Sequence, residues 1–273
     1  MSDRPRESEG QESPAKPVPF RGGGFLPKPR RIVAPIVFIA LIAFWEFGCR
    51  VGFISPLILP APSEAFDAFM NLVRTGLLWD HLAASLQRLL IGWSAGTLLG
   101  ILAGTLIGLF SLARSGLQPL VSAIFPVPKI ALLPLFVIWF GIGEGSKVAT
   151  ILFGTFFPTV IATYGGIDNV DRNLIRMGQS FGLSKLSIIR KIILPGALPA
   201  ILSGARISAA IAIILLVAAE MIAAEYGVGA YILLAGSLMA TDQLIAGVAL
   251  LSLMGLIFAW LIGQAEKYFL KWR

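Results

Sequence analysis

Apolar residues along this chain fall into long, nearly unbroken runs, with polar positions gathered between them. The runs at about 32–51, 84–110, 117–140, 147–167, 200–222 and 244–264 match the ~20 residues that carry a helix across ~30 Å of hydrocarbon. Six membrane-spanning helices are the prediction. In the second run, Gly92, Gly96, Gly100, Gly104 and Gly108 recur every four residues. Such a ridge lets another helix backbone approach closely. Each step turns about 400°, so the ridge drifts by ~40° and suits a crossed partner. The third run contains Pro126, Pro128 and Pro134 and must be kinked or locally unwound.

Between the runs, residues 63–82 have apolar positions at helical spacing behind Ser63, a candidate cap, and predict an interfacial amphipathic helix. Three stretches read as connections: SLARSG (111–116), a short inside turn; GIGEGSK (141–147), a tight outside turn; and residues 223–243, a glycine-rich, partly re-entrant outer segment. GIGEGSK is not a nucleotide loop, because a Walker A sequence has Gly directly before its Lys and Ser146 stands there.

One polar stretch breaks the pattern: DNVDRNLIRMGQSFGLSKLSIIRKIILPGALP, residues 168–199. It carries Arg172, Arg176, Lys185, Arg190 and Lys191, yet reads as two short helices. Asp171 is placed to cap the first helix, Gly182 to stop it in a left-handed conformation, and Ser184 to cap the second. Pro195 is expected to end that second helix. A helix–Gly–helix platform between membrane spans must dock against something in the aqueous phase.

Composition narrows the function classes. Charged residues make up 14% of the 273 positions and hydrophobic ones 56%, against about 25% charged in soluble domains. One Cys (Cys49) and one His (His81) leave no basis for an intrachain disulfide, a metal centre or a histidine-based catalytic site. No catalytic residue, metal or cofactor is assigned. The net charge of +7 does not imply nucleic acid, because the basic residues cluster beside apolar runs, where they fix topology. Lys28, Arg30 and Arg31 precede the first run, and Lys267, Lys271 and Arg273 follow the last. The outer loops hold Glu64, Asp67, Asp80, Glu144, Glu225 and Asp242. Six spans then place both termini and the platform on the cytoplasmic side. Residues 1–30, rich in Pro, Gly, Ser and charge, are expected to form a disordered cytoplasmic tail ahead of a membrane domain at 31–273.

Charges within the runs are candidates for a solute pathway. Lys129 stands among the prolines of the third run, and a lysine at the bilayer centre costs about 2.5–3.5 kcal/mol even on the lenient scale. It therefore either attracts an anionic substrate or bonds carbonyls freed by the prolines. Glu220, near the outer end of the fifth run, has three readings: contact with a binding protein, gating, or marking the interface. Glu46 and Arg50, four apart, can pair on one face. Arg206 and Glu220 share a face but lie about 21 Å apart in rise and do not pair.

LIRMGQSFGLSKLSIIRKIILPGALPAILSGARI resembles the EAA loop of permease subunits in ATP-binding-cassette (ABC) importers. Arg176, Met177 and Gly178 match the Glu-Ala-Ala triplet, Gly182 its glycine, and Leu194-Pro195 the closing Leu-Pro. Arg176 replaces the family's Glu and Met177 its first Ala, which removes the basis for a salt bridge on that Glu but not for the helix–Gly–helix shape. LPAPSEAF, PVPKIALLPLFVIWFGIGEGSK and VAAEMIAAEYGVGAYI, in that order, resemble the taurine, alkanesulfonate and nitrate branch, so the likeness covers roughly residues 40–265.

The resemblance implies an all-α integral membrane permease of the type I importer fold: six transmembrane helices and a cytoplasmic coupling loop at about 168–199. Arg176, Gly178, Gly182, Leu183, Ser184 and Lys185 would meet the ATPase. It further implies the bacterial inner membrane, a homodimer, two cytoplasmic ATPase subunits and an extracytoplasmic substrate-binding protein. Sulfonate, nitrate and small organic anions are open as substrates, as is a non-anionic thiamine precursor. The alternative is a secondary transporter or channel working without an ATPase. A secondary transporter would carry several midspan acids, which this chain lacks, and a channel would not need the platform.

Overall fold

The computed structural model describes residues 32–271; the expected tail 1–30 lies outside them. All regular structure among the described residues is helical: α1 (Val33–Arg50), α2 (Pro62–Arg74), α3 (Leu77–Leu109), α4 (Ser111–Ile124), α5 (Leu133–Phe140), α6 (Glu144–Asp168), α7 (Arg172–Ser180), α8 (Lys185–Ile188), α9 (Leu194–Ala223), α10 (Val228–Ser237) and α11 (Thr241–Phe269). A 3₁₀ turn, Lys129–Leu132, precedes α5, and a π turn, Ile189–Ile193, joins α8 to α9. Five continuous helices are long and apolar enough to span a membrane, and a sixth crossing is bent by 92° between Ile124 and Lys129.

The centre of the fold is α3 against α6, with α9 packed on α6 and also touching α3. A Cβ on Gly100 would lie 2.8 Å from the Phe156 carbonyl oxygen, and one on Gly104 would lie 2.7 Å from that of Val160. Both are closer than side-chain carbons approach, so only glycine allows this backbone contact. The facing ridge on α6 is Thr155, Thr159 and Thr163, all fully buried. Their hydroxyls donate to carbonyls four residues back, at 2.9, 2.8 and 2.7 Å. Each polar atom is thus satisfied within its own helix. All five glycines meet the same partner, from Ile151 beside Gly92 to Ile167 beside Gly108. A ridge drifting ~40° per step keeps one partner over that length only if the two helices wind around each other.

Four expectations change. SLARSG is the first turns of α4, because α3 stops at Leu109 and α4 starts at Ser111. Only Gly141–Gly143 forms the outer turn, with Gly141 at φ +79, and Glu144 already opens α6. Residues 63–82 are two helices, broken at Gly76 (φ +81). The cap of α2 is the Glu64 carboxylate accepting the Ala61 N–H at 3.0 Å; Ser63 instead bonds Glu46, which also pairs with Arg50 at 2.7 Å. Finally, Pro195 ends nothing, for one helix runs unbroken from Lys185 to Ala223. Its ring clashes with the carbonyl four residues back, and the π turn just upstream provides the slack.

Candidate functional site

Two polar regions stand at opposite ends of the central helices, termed inner and outer after the orientation the charge distribution predicts. At the inner end, the Asp171 carboxylate accepts the Asn173 N–H at 2.8 Å and starts α7. Gly182, at φ +71, stops it. There Gly182 N–H donates to Gln179 O (2.9 Å) and Leu183 N–H to Gly178 O (3.0 Å), the paired bonds of a Schellman stop. The Ser184 hydroxyl then accepts the Ser187 N–H at 3.3 Å and begins the next helix.

Of the residues assigned to this platform from the sequence, Arg176, Gly182, Leu183, Ser184 and Lys185 are exposed. Gly178 is not. It is buried between the two helices, and a Cβ there would lie 2.8 Å from Ile192 Cδ1, so it packs the platform rather than presenting a surface. Leu174, Met177, Phe181 and Leu186 are exposed, and Phe181 most of all, at 78%. The spacing of Leu174, Met177 and Phe181 makes one apolar stripe on α7, with Arg172 and Arg176 on another flank. Charge patterning alone does not reveal that stripe. Beside the platform, Arg114 pairs with Asp168 and Arg206 with Glu266.

At the outer end, charged groups are buried. Arg88, on α3, is 4% exposed, and Glu220, on α9, is 1% exposed. Arg88 Nη1 donates to Glu220 Oε1 at 2.7 Å and to the Tyr226 carbonyl at 2.6 Å. Its Nε and Nη2 donate to the two oxygens of Glu144 at 2.5 and 2.8 Å. Lys147, also buried, donates to Glu144 Oε1 at 3.1 Å. Glu220 additionally accepts from Ser85 Oγ (2.7 Å) and from the Gly229 N–H (2.8 Å). Ser85 Oγ accepts the Val228 N–H, and His81 Nδ1 accepts the Gly227 N–H at 3.0 Å. Accepting there requires a neutral ring with its proton on Nε2. Three N–H groups opening α10 are thereby tied to α3 and α9.

Glu220 thus pairs with Arg88 and not with Arg206. Arg88, Lys147, Ser85 and His81 were missed from the sequence, although His81, Ser85 and Arg88 form a polar i, i+4, i+7 stripe along α3. Lys129 lies elsewhere, at the bend before α5. Its ammonium donates to the carbonyls of Ile124 and Phe125 and sits 5.1 and 5.2 Å from the ring centroids of Phe125 and Phe157. Among the described residues, no group of His, Cys, Asp and Glu could hold a metal ion.

Five apolar helices of membrane-spanning length, a bent sixth and a platform of paired short helices have the architecture of a membrane transport subunit. The chain belongs to the binding-protein-dependent transport system inner membrane component family, whose model matches residues 96–269, and it is the permease subunit of an ABC importer. It is 38% identical over 234 residues to the putative aliphatic sulfonates transport permease protein SsuC of Escherichia coli, covering 86% of this chain and 89% of that one. It is 36% identical over 252 residues to the taurine transport system permease protein TauC of the same organism, covering 90% and 92%. The fold matches an inward facing structure of the MetNI methionine ABC transporter with a TM-score of 0.58 at 20% identity, over 71% of this chain and 95% of that one. Membership in this family excludes the reading as a secondary transporter or channel.

Proposed function

We propose that two copies of this chain form the membrane pathway of an importer for a small organic anion of the sulfonate class, driven by two cytoplasmic ATPase subunits docked on the platforms and supplied by an outer binding protein. Hydrolysis takes place on the ATPase, and this chain provides the path and the coupling surface. Both termini face the cytoplasm.

The observation that carries this reading is the platform itself. It has a rigid Schellman stop, with Phe181, Met177, Leu174 and Leu186 exposed beside five exposed cations. Large apolar side chains standing in the aqueous phase mark a protein interface, and aromatic anchors dominate such interfaces. The sulfonate class comes from the two Escherichia coli relatives. In the cycle, ATP closes the ATPase pair, the platforms approach each other, and the spans pass from inward-open to outward-open.

The test is reconstitution with the cognate ATPase and binding protein in vesicles. Uptake of an alkanesulfonate should require ATP and all three components. A cysteine at Ser184 should be labelled only from the cytoplasmic side, and one at Asp80 only from outside. Uptake without ATPase, or Ser184 labelling from outside, would sink the reading.

A further inference from the structure

Glu144 is the odd member of the outer charge cluster. The side chains of Arg88 and Lys147 are each 4% exposed and that of Glu220 is 0% exposed, whereas that of Glu144 is 60% exposed. Three donors held by buried side chains converge on its carboxylate: Arg88 Nε, Arg88 Nη2 and Lys147 Nζ. The carboxylate sits at the wall of an open cleft of about 500 Å³, which Asp80, Gln87 and Tyr226 also line. Glu144 is the first residue of α6 and follows Gly141 and Gly143, and a Cβ on either glycine would meet nothing within 4 Å. The donors are therefore fixed by burial, while their acceptor lies on the solvent side of a sparsely packed turn.

Charge balance points the same way. Arg88 and Lys147 carry two positive charges, and Glu220 and Glu144 carry two negative ones. When Glu144 leaves, Glu220 stays with Arg88 and one buried positive charge remains uncompensated, facing the cleft. Leaving it unpaired is costly, so a replacement anion is strongly favoured.

We propose that this seat is an anion-binding site of the transport pathway, occupied in the resting subunit by the Glu144 carboxylate and taken over by the anionic head of the solute. A guanidinium fork and an ammonium suit a monovalent sulfonate, whose three oxygens can each take one of the three donors. Asp80 at the cleft opposes a second negative charge, which favours monovalent solutes. The tethered carboxylate competes with any bound anion for the same donors, so the seat releases its ligand readily. This site rests on the importer reading and deepens it.

The experiment uses the intact permease–ATPase complex in lipid nanodiscs, without binding protein, with ethanesulfonate as the probe and equilibrium binding as the readout. Glu144→Gln removes the tethered competitor and should bind ethanesulfonate at least ten-fold more tightly than the unaltered complex. Adding Lys147→Met to Glu144→Gln should weaken binding at least ten-fold, while adding Lys129→Met should not change it. If the Lys147 variant does not assemble, the comparison of Glu144→Gln with the unaltered complex decides alone. Absence of saturable binding by Glu144→Gln, or equal binding by the two, overturns the site while leaving the importer reading intact. Failure of the ATPase to co-purify with the unaltered permease would remove the importer reading, and this site with it.

Discussion

At the inner end of the molecule, five basic and five large apolar side chains stand exposed on a platform whose two acids, Asp168 and Asp171, serve in an ion pair with Arg114 and as a helix cap. At the outer end, two cations and two carboxylates neutralise each other, three of the four inside the protein. The inner surface is unfinished and calls for a partner; the outer cluster is complete and calls for a reason to open. Mutations should therefore separate the two ends. Outer changes act on stability, because a broken pair leaves a buried charge. Inner changes act on assembly and coupling, because nothing in the isolated subunit depends on the exposed groups.

The sharpest test of that division is Glu220→Ala. It leaves Arg88 buried with one of its two carboxylates gone, and should cost about 3–5 kcal/mol, read as lost membrane yield and a lower thermal unfolding temperature. Arg88→Met with Glu220→Leu should recover most of that loss; if the double variant is no better than the single one, the pair is not what holds the outer end. Next comes Phe181→Ala, expected to weaken ATPase association by about 2 kcal/mol or more with the unfolding temperature unchanged. Full ATPase retention would reassign the anchor.

Gly182→Val is smaller in energy. A side chain there meets no neighbour within 4 Å, so its cost is backbone strain alone, about 1–2 kcal/mol. The subunit should insert normally yet lose uptake, because the tilted second helix spoils the fit of the tip; normal uptake would demote the platform to a basic loop. The smallest effect belongs to Lys129→Met. Its ammonium bonds two carbonyls at the bend, and loss should lower stability by about 1 kcal/mol with uptake within two-fold. Lost uptake at full stability would restore a pathway role for Lys129.

What could be read from the sequence follows from the range of the interactions. Asp171, Gly182 and Ser184 act on neighbours within three residues, and their roles were visible in the residue types alone. The glycine ridge predicted close packing because its geometry belongs to one helix, but its partner α6 and the threonine ridge there were not deducible. Pro195 misled because the rule for proline assumes a regular helix upstream, and five residues of π turn relax it. Ser63 was chosen as a cap on residue type, yet Glu46, seventeen positions earlier, claims it. The outer cluster joins residues 56 and 132 positions apart, and no local pattern announces a partner at that distance. Only the His81–Ser85–Arg88 stripe hinted that one face of α3 had polar company.

The unbroken helix from Lys185 to Ala223 has 39 residues. Its foot carries the tip of the platform, and Glu220 lies thirty-five positions up the shaft, about 53 Å away at 1.5 Å per residue. Its π turn, Pro195 and Pro199 all lie below Ala200, so bending concentrates at the foot and the upper shaft behaves as a lever arm. From Ala200 to Glu220 that arm is about 30 Å, so a tilt of about 5° displaces the top by roughly 2–3 Å. That is comparable to the 2.7 Å separating Glu220 from Arg88. On the importer reading proposed above, an angular stroke at the platform would therefore reach the outer charge cluster through one helix, without any relay of side chains.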